Sequence, residues 1–275
     1  MKILSIAILL NCFLNFNLSG QNDNPIQSVS FYGKVSADTL QFGIFLPPGY
    51  DTGSDKYPVI FHLHGLWEEV DGVNNQYVAE FYKSRFNTDI DEFVIVFPNG
   101  EDGIWANKYN GEELIETNFI NEIIPYVEEN FRTDSRRRII EGWSAGAVGA
   151  MSLFAKYPDL FDKALILDGS FFNWESFLQM QPYLAKDFFN NDSANYYKAY
   201  PNFLIEKNKD QLKDSDKIKI KLVSSTFLSE PNASFQKYLK ILGIHPEFNI
   251  VDCGHEISCI MDSDAFNIVN FLNLK

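Results

Sequence analysis

The stretch Ile139-Ile140-Glu141-Gly142-Trp143-Ser144-Ala145-Gly146-Ala147 contains a Gly-x-Ser-x-Gly pattern. A short predicted strand leads into it, and an apolar predicted helix over residues 145–156 follows it. In that setting the serine lies on a tight turn, where Gly142 and Gly146 avoid clashes that a Cβ would cause. The turn presents the Ser144 hydroxyl at the edge of a sheet, beside a helix N-terminus that favours negative charge. The alternative interpretation is a serine that caps the helix.

Strand-like and helix-like segments alternate on both sides of this turn. Runs of β-branched and aromatic residues predict strands at 28–35, 39–45, 58–63, 93–97, 138–141, 164–167, 218–224 and 248–251. Helical spacing of apolar residues predicts helices at 119–130, 145–156, 233–242 and 264–274. Such alternation predicts an α/β fold with a mainly parallel central sheet and helices on both faces. We expect one domain over residues 21–275, because about 250 residues is ordinary for a single α/β domain.

Residues 169–216 lack a clear strand and are rich in aromatic side chains. We interpret this segment as a helical excursion over one end of the sheet that shapes a cleft. The alternative is an insertion that only buries its own aromatic rings.

A serine hydroxyl becomes a nucleophile beside a base, and four histidines are available to supply one. In a fold with this strand–turn–helix motif the chain order is serine, acid, histidine, so the base lies late in the sequence. His255, in the loop after the last predicted strand, is therefore the candidate base. The other late histidine, His245, lies at a helix-to-strand turn and is interpreted as a surface residue.

Negative charge that develops on a substrate oxygen needs backbone amides to stabilise it. The residue after the nucleophile, Ala145, supplies one amide, and a loop after an earlier strand supplies the second. The segment 62–67, His-Leu-His-Gly-Leu-Trp, fits that loop, with Leu66 as the candidate donor. We interpret His64 as a brace for the loop. This chemistry requires no metal and no cofactor, and we expect neither.

The carboxylate that orients the histidine has two candidates. The customary place is the loop after the strand at 218–224, whose one carboxylate, Glu230, comes several residues late. Asp168 directly ends the preceding strand and also lies at the C-terminal edge of the predicted sheet. Because this role is recognised by position rather than by motif, we favour Asp168 and keep Glu230 as the alternative acid. Asp168 could instead cap a helix that begins at Gly169.

The first 20 residues have the pattern of a cleaved signal peptide. Lys2 precedes an apolar run that extends to Leu14 and is too short to span a membrane. We therefore expect a secreted or periplasmic protein without a membrane span. Cys12 faintly resembles a lipoprotein site, which is the less favoured alternative.

Charge and cysteine content limit the partners and the compartment. The net charge of −14 disfavours nucleic acid and anionic membrane surfaces as partners. After the leader two cysteines remain, Cys253 and Cys259, and they bracket His255. In an oxidising compartment the pair can form a disulfide that tethers this loop; the alternative is two free thiols.

Several segments together resemble the esterase D-like α/β hydrolases, over roughly residues 28–275. They are Pro47-Pro48-Gly49-Tyr50, Tyr57-Pro58-Val59-Ile60 with His64-Gly65, the segments 121–132 and 142–150, and Tyr157-Pro158-Asp159-Leu160-Phe161. That family includes feruloyl and acetyl xylan esterases, siderophore esterases, S-formylglutathione hydrolases and mycolyltransferases. The resemblance implies an α/β-hydrolase fold and a serine carboxylic ester hydrolase.

The sequence departs from this family at three places. It has Ala145-Gly146-Ala147 where Met-Gly-Gly is common, and Asp168-Gly169 where Ser-Gly is frequent. The segment Ser224-Ser225-Thr226-Phe227 stands where the family commonly has Gly-x-x-Asp. An acid lost at one strand end and gained at the neighbouring end indicates that the acid has been relocated.

We therefore predict a secreted esterase that works through an acyl-enzyme on small-molecule or polysaccharide-linked esters, with feruloyl or acetyl groups as the acyl part. Trp67 and Trp143 are candidate substrate-binding residues, because with the aromatics after Gly169 they would suit an aromatic acyl group. One alternative is an acyltransferase that uses the same three residues. The other is a non-catalytic binding protein, suggested by the missing late-strand Asp.

Overall fold

Eight strands of the described residues form one sheet in the order β1-β2-β4-β3-β5-β6-β7-β8. The structure is a computed structural model that describes residues 24–213 and 219–273. The predicted leader at 1–20, with Cys12, lies outside the described residues. The strands are β1 (Gln27–Gly33), β2 (Asp38–Phe45), β3 (Tyr57–Leu63), β4 (Val94–Pro98), β5 (Thr133–Trp143), β6 (Lys163–Leu167), β7 (Lys219–Ser225) and β8 (Glu247–Val251).

The two N-terminal strands are antiparallel to their neighbours, and the strands from β4 through β8 are parallel. The predicted mainly parallel sheet is confirmed. The turn that carries Ser144 follows β5, which lies near the middle of the sheet between β3 and β6. Because parallel strands end at the same edge, the residues that follow β3, β5, β6, β7 and β8 all lie along one edge of the sheet.

Helices cover both faces of the sheet. They are α1 (Val73–Lys83), α2 (Ile115–Asn118), α3 (Ile124–Asn130), α4 (Ala145–Lys156), α5 (Trp174–Met180), α6 (Pro182–Phe189), α7 (Ser193–Ala199), α8 (Pro201–Leu212), α9 (Ser229–Ile241), α10 (Ile257–Ser263) and α11 (Ala265–Leu272). A π-helical turn, Phe119–Ile123, joins α2 to α3, and a single 3₁₀ turn spans Tyr50–Thr52.

Strand alternation divides the core into two apolar layers. Ile140 of β5 and Phe61 of β3 are fully buried in the layer that includes α4, whereas Ile139 and Ile60 are fully buried in the layer that includes α1 and α11. Successive side chains of a strand point to opposite faces, so a strand covered on both faces is apolar throughout. This is why β3 and β4 are recognisable in the sequence as continuous apolar runs.

The helical excursion predicted after Gly169 consists of α5 to α8. Its rings pack against one another: Phe177 and Tyr196 stack with ring centroids 4.9 Å apart, and Phe189 meets Tyr196 edge-on at 5.3 Å. The helix α4 packs against α8, which holds the excursion over the helix that begins at the nucleophile turn. The segment therefore buries its own aromatics and also lies beside the turn.

Three helices were not predicted from the sequence: α1, α2 and α10. The helix α1 begins with polar residues, of which Asn75 is buried and donates to the carbonyls of Glu69 and Val70 at 3.0 and 3.1 Å. After Asn75, the buried residues Val78, Ala79 and Tyr82 continue the same face at helical spacing. The sequence pattern is therefore present, although its first buried position is polar. The helices α2 and α10 have only four and seven residues. Across the residues described, we find no helix with both the length and the apolar character needed to cross a membrane.

Candidate active site

The turn after β5 has the backbone that a nucleophile elbow requires. Ser144 has φ 57° and ψ −118°, a conformation that is costly for a residue with a side chain. A Cβ at Gly142 would lie 2.1 Å from the carbonyl oxygen of Gly146, and one at Gly146 would lie 2.0 Å from that of Leu63. Both positions therefore admit only glycine, and the pattern follows from the close approach of β3, β5 and α4.

The structure brings three of the predicted residues into one hydrogen-bonded row. His255 Nε2 lies 2.9 Å from Ser144 Oγ, and His255 Nδ1 lies 2.7 Å from Asp168 Oδ2. Asp168 is fully buried, whereas the His255 side chain is 30% exposed. With Nδ1–H donating to the carboxylate, Nε2 is left as the acceptor for the serine hydroxyl. This is the geometry of a base-activated serine.

Asp168 is held by the end of the neighbouring strand. It follows β6 with a left-handed φ of 49°. Its Oδ1 accepts hydrogen bonds from the Ser225 amide at 2.7 Å and from Ser224 Oγ at 3.4 Å, and its Oδ2 accepts one from Ser225 Oγ at 2.7 Å. Ser224 and Ser225, in the segment where the resembling family commonly has its acid, thus donate hydrogen bonds to the Asp168 carboxylate. These hydrogen bonds fix the orientation of the Asp168 carboxyl group.

Glu230, the alternative acid, lies in the first turn of α9 with an exposed side chain. The hydrogen bond to His255 Nδ1 is made by Asp168. Ser225 was missed by the sequence reasoning. The pair Ser224-Ser225 at the end of β7, the strand beside β6, is the signal that could have identified Ser225.

The two predicted oxyanion donors face the same cavity as Ser144 and His255. Ala145 is the first residue of α4, so its amide has no acceptor within the helix. Among the hydrogen bonds of the described residues, none has the Leu66 amide as its donor. Two such amides beside a serine nucleophile can bind an oxyanion.

His64 braces the loop that carries Leu66, as the sequence predicts. Its Nδ1 donates to the Gly65 carbonyl at 2.8 Å, its Nε2 accepts from the Gly100 amide at 3.0 Å, and its own carbonyl accepts from Trp105 Nε1 at 3.1 Å. Both ring nitrogens are therefore occupied in the neutral imidazole. Burial lowers the pKa of His64 below its ordinary value of 6.5, in spite of opposing effects from the Gly65 carbonyl and Glu68.

This burial predicts a pH dependence of stability. The unfolded chain takes up a proton at His64 near pH 6.5, whereas the folded protein resists it, so the free energy of unfolding falls as the pH drops below about 6.5. We expect urea unfolding at pH 7.5 and 5.5 to show this loss, with a slope of at most about 1.4 kcal/mol per pH unit from this group. The His64→Gln variant should lack that part of the loss. The exposed His245→Gln variant should keep it, and an unchanged pH dependence in His64→Gln would contradict the assignment.

Trp143 packs against the His255 imidazole and is not part of the cavity lining. Its indole stacks on the His255 imidazole with centroids 4.3 Å apart, and its Nε1 donates to Glu68 Oε1 at 3.2 Å. Glu68 Oε2 accepts from the Gly65 amide at 3.2 Å. Trp143 thereby links the base to the loop of Leu66. The other candidate, Trp67, is 57% exposed and borders a separate shallow groove, so neither tryptophan is among the residues that line the cavity.

The cysteine pair closes the loop that holds the base. The sulfur atoms of Cys253 and Cys259 are bonded, and His255 lies between them. A covalent link across a seven-residue loop restricts where the imidazole can lie, since it removes conformations of the chain that carries it.

A cavity of about 280 Å³ opens at Ser144 and extends beneath the helical excursion. Its walls are mainly apolar and aromatic, contributed by Leu66, Ile104, Trp105, Val148, Phe172, Phe177, Phe189, Tyr196, Ala199, Tyr200, Phe227 and Leu228. Burial raises the pKa of the Tyr196 and Tyr200 phenols, which keeps both neutral. No group of three His, Cys, Asp or Glu side chains suited to a metal ion occurs within 24–213 or 219–273.

Comparison with known proteins places these features in context. Residues 35–242 match a sequence family described as "Putative esterase". The chain is 30% identical over 128 residues to "Esterase Rv1288" of Mycobacterium tuberculosis, a match that covers 44% of this chain and 27% of that protein. It is also 30% identical over 138 residues to "Probable feruloyl esterase C" of Aspergillus terreus, covering 50% of this chain and 49% of that protein. The chain thus spans about half or less of the length of these relatives.

A solved structure of a ferulic acid esterase has the same fold. It superposes with a TM-score of 0.74 over 90% of this chain and 97% of that chain, at 21% sequence identity. Since the likeness extends over nearly all of both chains, the predicted α/β-hydrolase fold is confirmed.

Proposed function

Because the chain belongs to the esterase family, as its resemblance to esterase D-like hydrolases predicts, we propose that it hydrolyses carboxylic esters through an acyl-enzyme on Ser144. The observation that carries the proposal is the row Ser144–His255–Asp168, with contacts of 2.9 and 2.7 Å. A protein that only binds esters would have no need for a buried carboxylate that orients the histidine. The row therefore favours catalysis over the non-catalytic alternative.

The proposed reaction moves one proton back and forth through His255. As Ser144 Oγ attacks the ester carbonyl, its proton passes to His255 Nε2, and the imidazolium is stabilised by Asp168 through Nδ1–H. The amides of Ala145 and Leu66 stabilise the negative oxygen of the tetrahedral intermediate. Collapse of this intermediate breaks the bond to the alcohol oxygen, which takes the proton from Nε2. Water then attacks the acyl-enzyme by the same route and releases the acid.

The acyl group that fits the cavity best is an aromatic one of hydroxycinnamoyl type. A volume of about 280 Å³ far exceeds what an acetyl methyl group fills, and an empty apolar cavity gives a small acyl group few contacts. Buried rings such as Trp105, Phe189 and Tyr196 provide flat apolar walls. The names of two similar proteins, a feruloyl esterase and a ferulic acid esterase, agree with this choice.

We also propose that the protein acts in an oxidising compartment, as a secreted or periplasmic enzyme. The Cys253–Cys259 bond supports this, because disulfides persist mainly outside the cytosol. Esters attached to extracellular polysaccharide would then be accessible, in addition to small soluble esters.

A series of methyl esters tests the proposal. With the alcohol held constant, kcat/KM should rise at least about tenfold from methyl acetate to a methyl hydroxycinnamate, since each apolar group placed in a fitting pocket is worth about 1–3 kcal/mol. Equal or faster hydrolysis of the acetate would contradict the aromatic acyl group. Ala199→Phe, which partly fills the cavity, should slow the hydroxycinnamate and spare the acetate. Products formed with added alcohol would reveal the acyltransferase alternative.

A further inference from the structure

Phe227 differs from the other aromatic side chains of the cavity. Those are buried or half-buried, whereas Phe227 is 72% exposed and lies at the mouth. Its ring centroid lies 6.3 Å from that of the His255 imidazole, with the planes tilted by 38°. Single exposed apolar residues are common on protein surfaces. The informative feature of Phe227 is therefore its position beside His255.

The backbone on each side of Phe227 is fixed. The amide of Thr226 donates to the Val251 carbonyl at 3.0 Å, and Thr226 Oγ1 donates to the Cys253 carbonyl at 2.9 Å. On the other side the Leu228 amide donates to Ser225 Oγ at 3.1 Å. The phenyl ring is thus presented to solvent from a rigid turn. This turn is free to carry a phenyl because Asp168, on the neighbouring strand, supplies the acid.

The chemistry of the site places the alcohol half of an ester on the His255 side. The alcohol oxygen must accept its proton from His255 Nε2 as it leaves. Buried rings, among them Tyr196 and Tyr200, also line the cavity and would enclose the acyl group. Phe227, beside His255 and open to solvent, lies where the alcohol departs.

We propose that Phe227 is a specificity-determining residue that packs against the alcohol half of the substrate, and that this alcohol carries an uncharged ring. This inference rests on the proposed esterase function. A flat phenyl face packs best on another ring, whether a sugar or an aryl group. Apart from His255, the cavity lining contains no ionisable side chain other than the neutral tyrosines, so nothing in it would pair with a charged alcohol.

The test compares three esters that share one hydroxycinnamoyl group and differ in the alcohol: methyl, a pentosyl sugar and phenyl. In Phe227→Ala, kcat/KM should fall about 3- to 10-fold for a ring alcohol and less than about twofold for the methyl ester, the range expected for one ring–ring contact. Hydrolysis of the acyl-enzyme should be unchanged, because the alcohol has already left. Phe227→Tyr should restore the rates. The matched control is Phe266→Ala, which removes a phenyl that is 77% exposed on α11 and outside the cavity lining.

Each outcome either supports or contradicts the proposed role of Phe227. A selective loss on the sugar ester or the phenyl ester supports the proposal and identifies which ring the site takes. An equal change on all three esters, or no change on any of them, overturns it. Failure of the unmodified enzyme to cleave any of the three would refute the proposed function itself, which keeps the two failures distinguishable.

Discussion

Replacing Ser144 with alanine should lower kcat for a methyl hydroxycinnamate by about 10⁴- to 10⁶-fold, the range observed when a triad nucleophile is removed. The reason is that no acyl-enzyme can form once Oγ is absent, although the oxyanion amides and the cavity remain. Steady-state kinetics with a sensitive product assay would measure the loss. Ser176→Ala, a serine on α5 that is not part of the cavity lining, should keep the full rate.

A Ser144→Ala protein that retained more than about a hundredth of the rate would contradict the assignment of the nucleophile. Circular dichroism and thermal unfolding of the variant would establish that it is folded. Ser144 has an unfavourable positive φ, and alanine tolerates this conformation no worse than serine does. The variant should therefore be about as stable as the parent.

Replacing Asp168 with asparagine should lower kcat by about 10⁴-fold with little effect on KM. The carboxylate accepts the Nδ1–H of His255 at 2.7 Å and thereby fixes the tautomer in which Nε2 is the base. An asparagine of the same shape can present its NH₂ group to Nδ1, which then has to accept and leaves Nε2 protonated. Kinetics of the same ester would measure the effect.

Glu230→Gln is the matched control for Asp168→Asn, because each substitution neutralises one of the two carboxylates that the sequence offers as the acid. Glu230 is exposed at the start of α9, so its variant should retain the rate within about twofold. Near-normal activity in Asp168→Asn together with a large loss in Glu230→Gln would reverse the assignment.

Much of the fold could be predicted because its determinants are local. The apolar runs of β3 and β4 each stand in one short stretch of sequence, and so do the glycines on either side of Trp143-Ser144-Ala145, although Gly146 is required by the distant carbonyl of Leu63. The order of nucleophile and base along the chain then pointed to His255. These features require only periodicity, sterics and chain order.

The remaining features depend on contacts between distant segments. The sequence offered Asp168 and Glu230 as acids, and the structure shows the parallel register that sets Leu167 of β6 opposite Val223 of β7. That register brings Ser225 to the Asp168 carboxylate, 57 positions earlier in the chain. The stacking of Trp143 on His255 depends in the same way on a loop that closes over the sheet edge. Tertiary contacts of this kind leave no periodic signal in the sequence.

The assignment of Ser144 as the nucleophile is tested most directly by identifying the residue that a fluorophosphonate probe modifies. Such a probe mimics the tetrahedral intermediate and reacts with a serine that its own site has activated. We expect one adduct, mapped by peptide mass spectrometry to Ser144, which forms much more slowly in Asp168→Asn and at the normal rate in Glu230→Gln. An unlabelled native protein, or an adduct on a different residue, would contradict it.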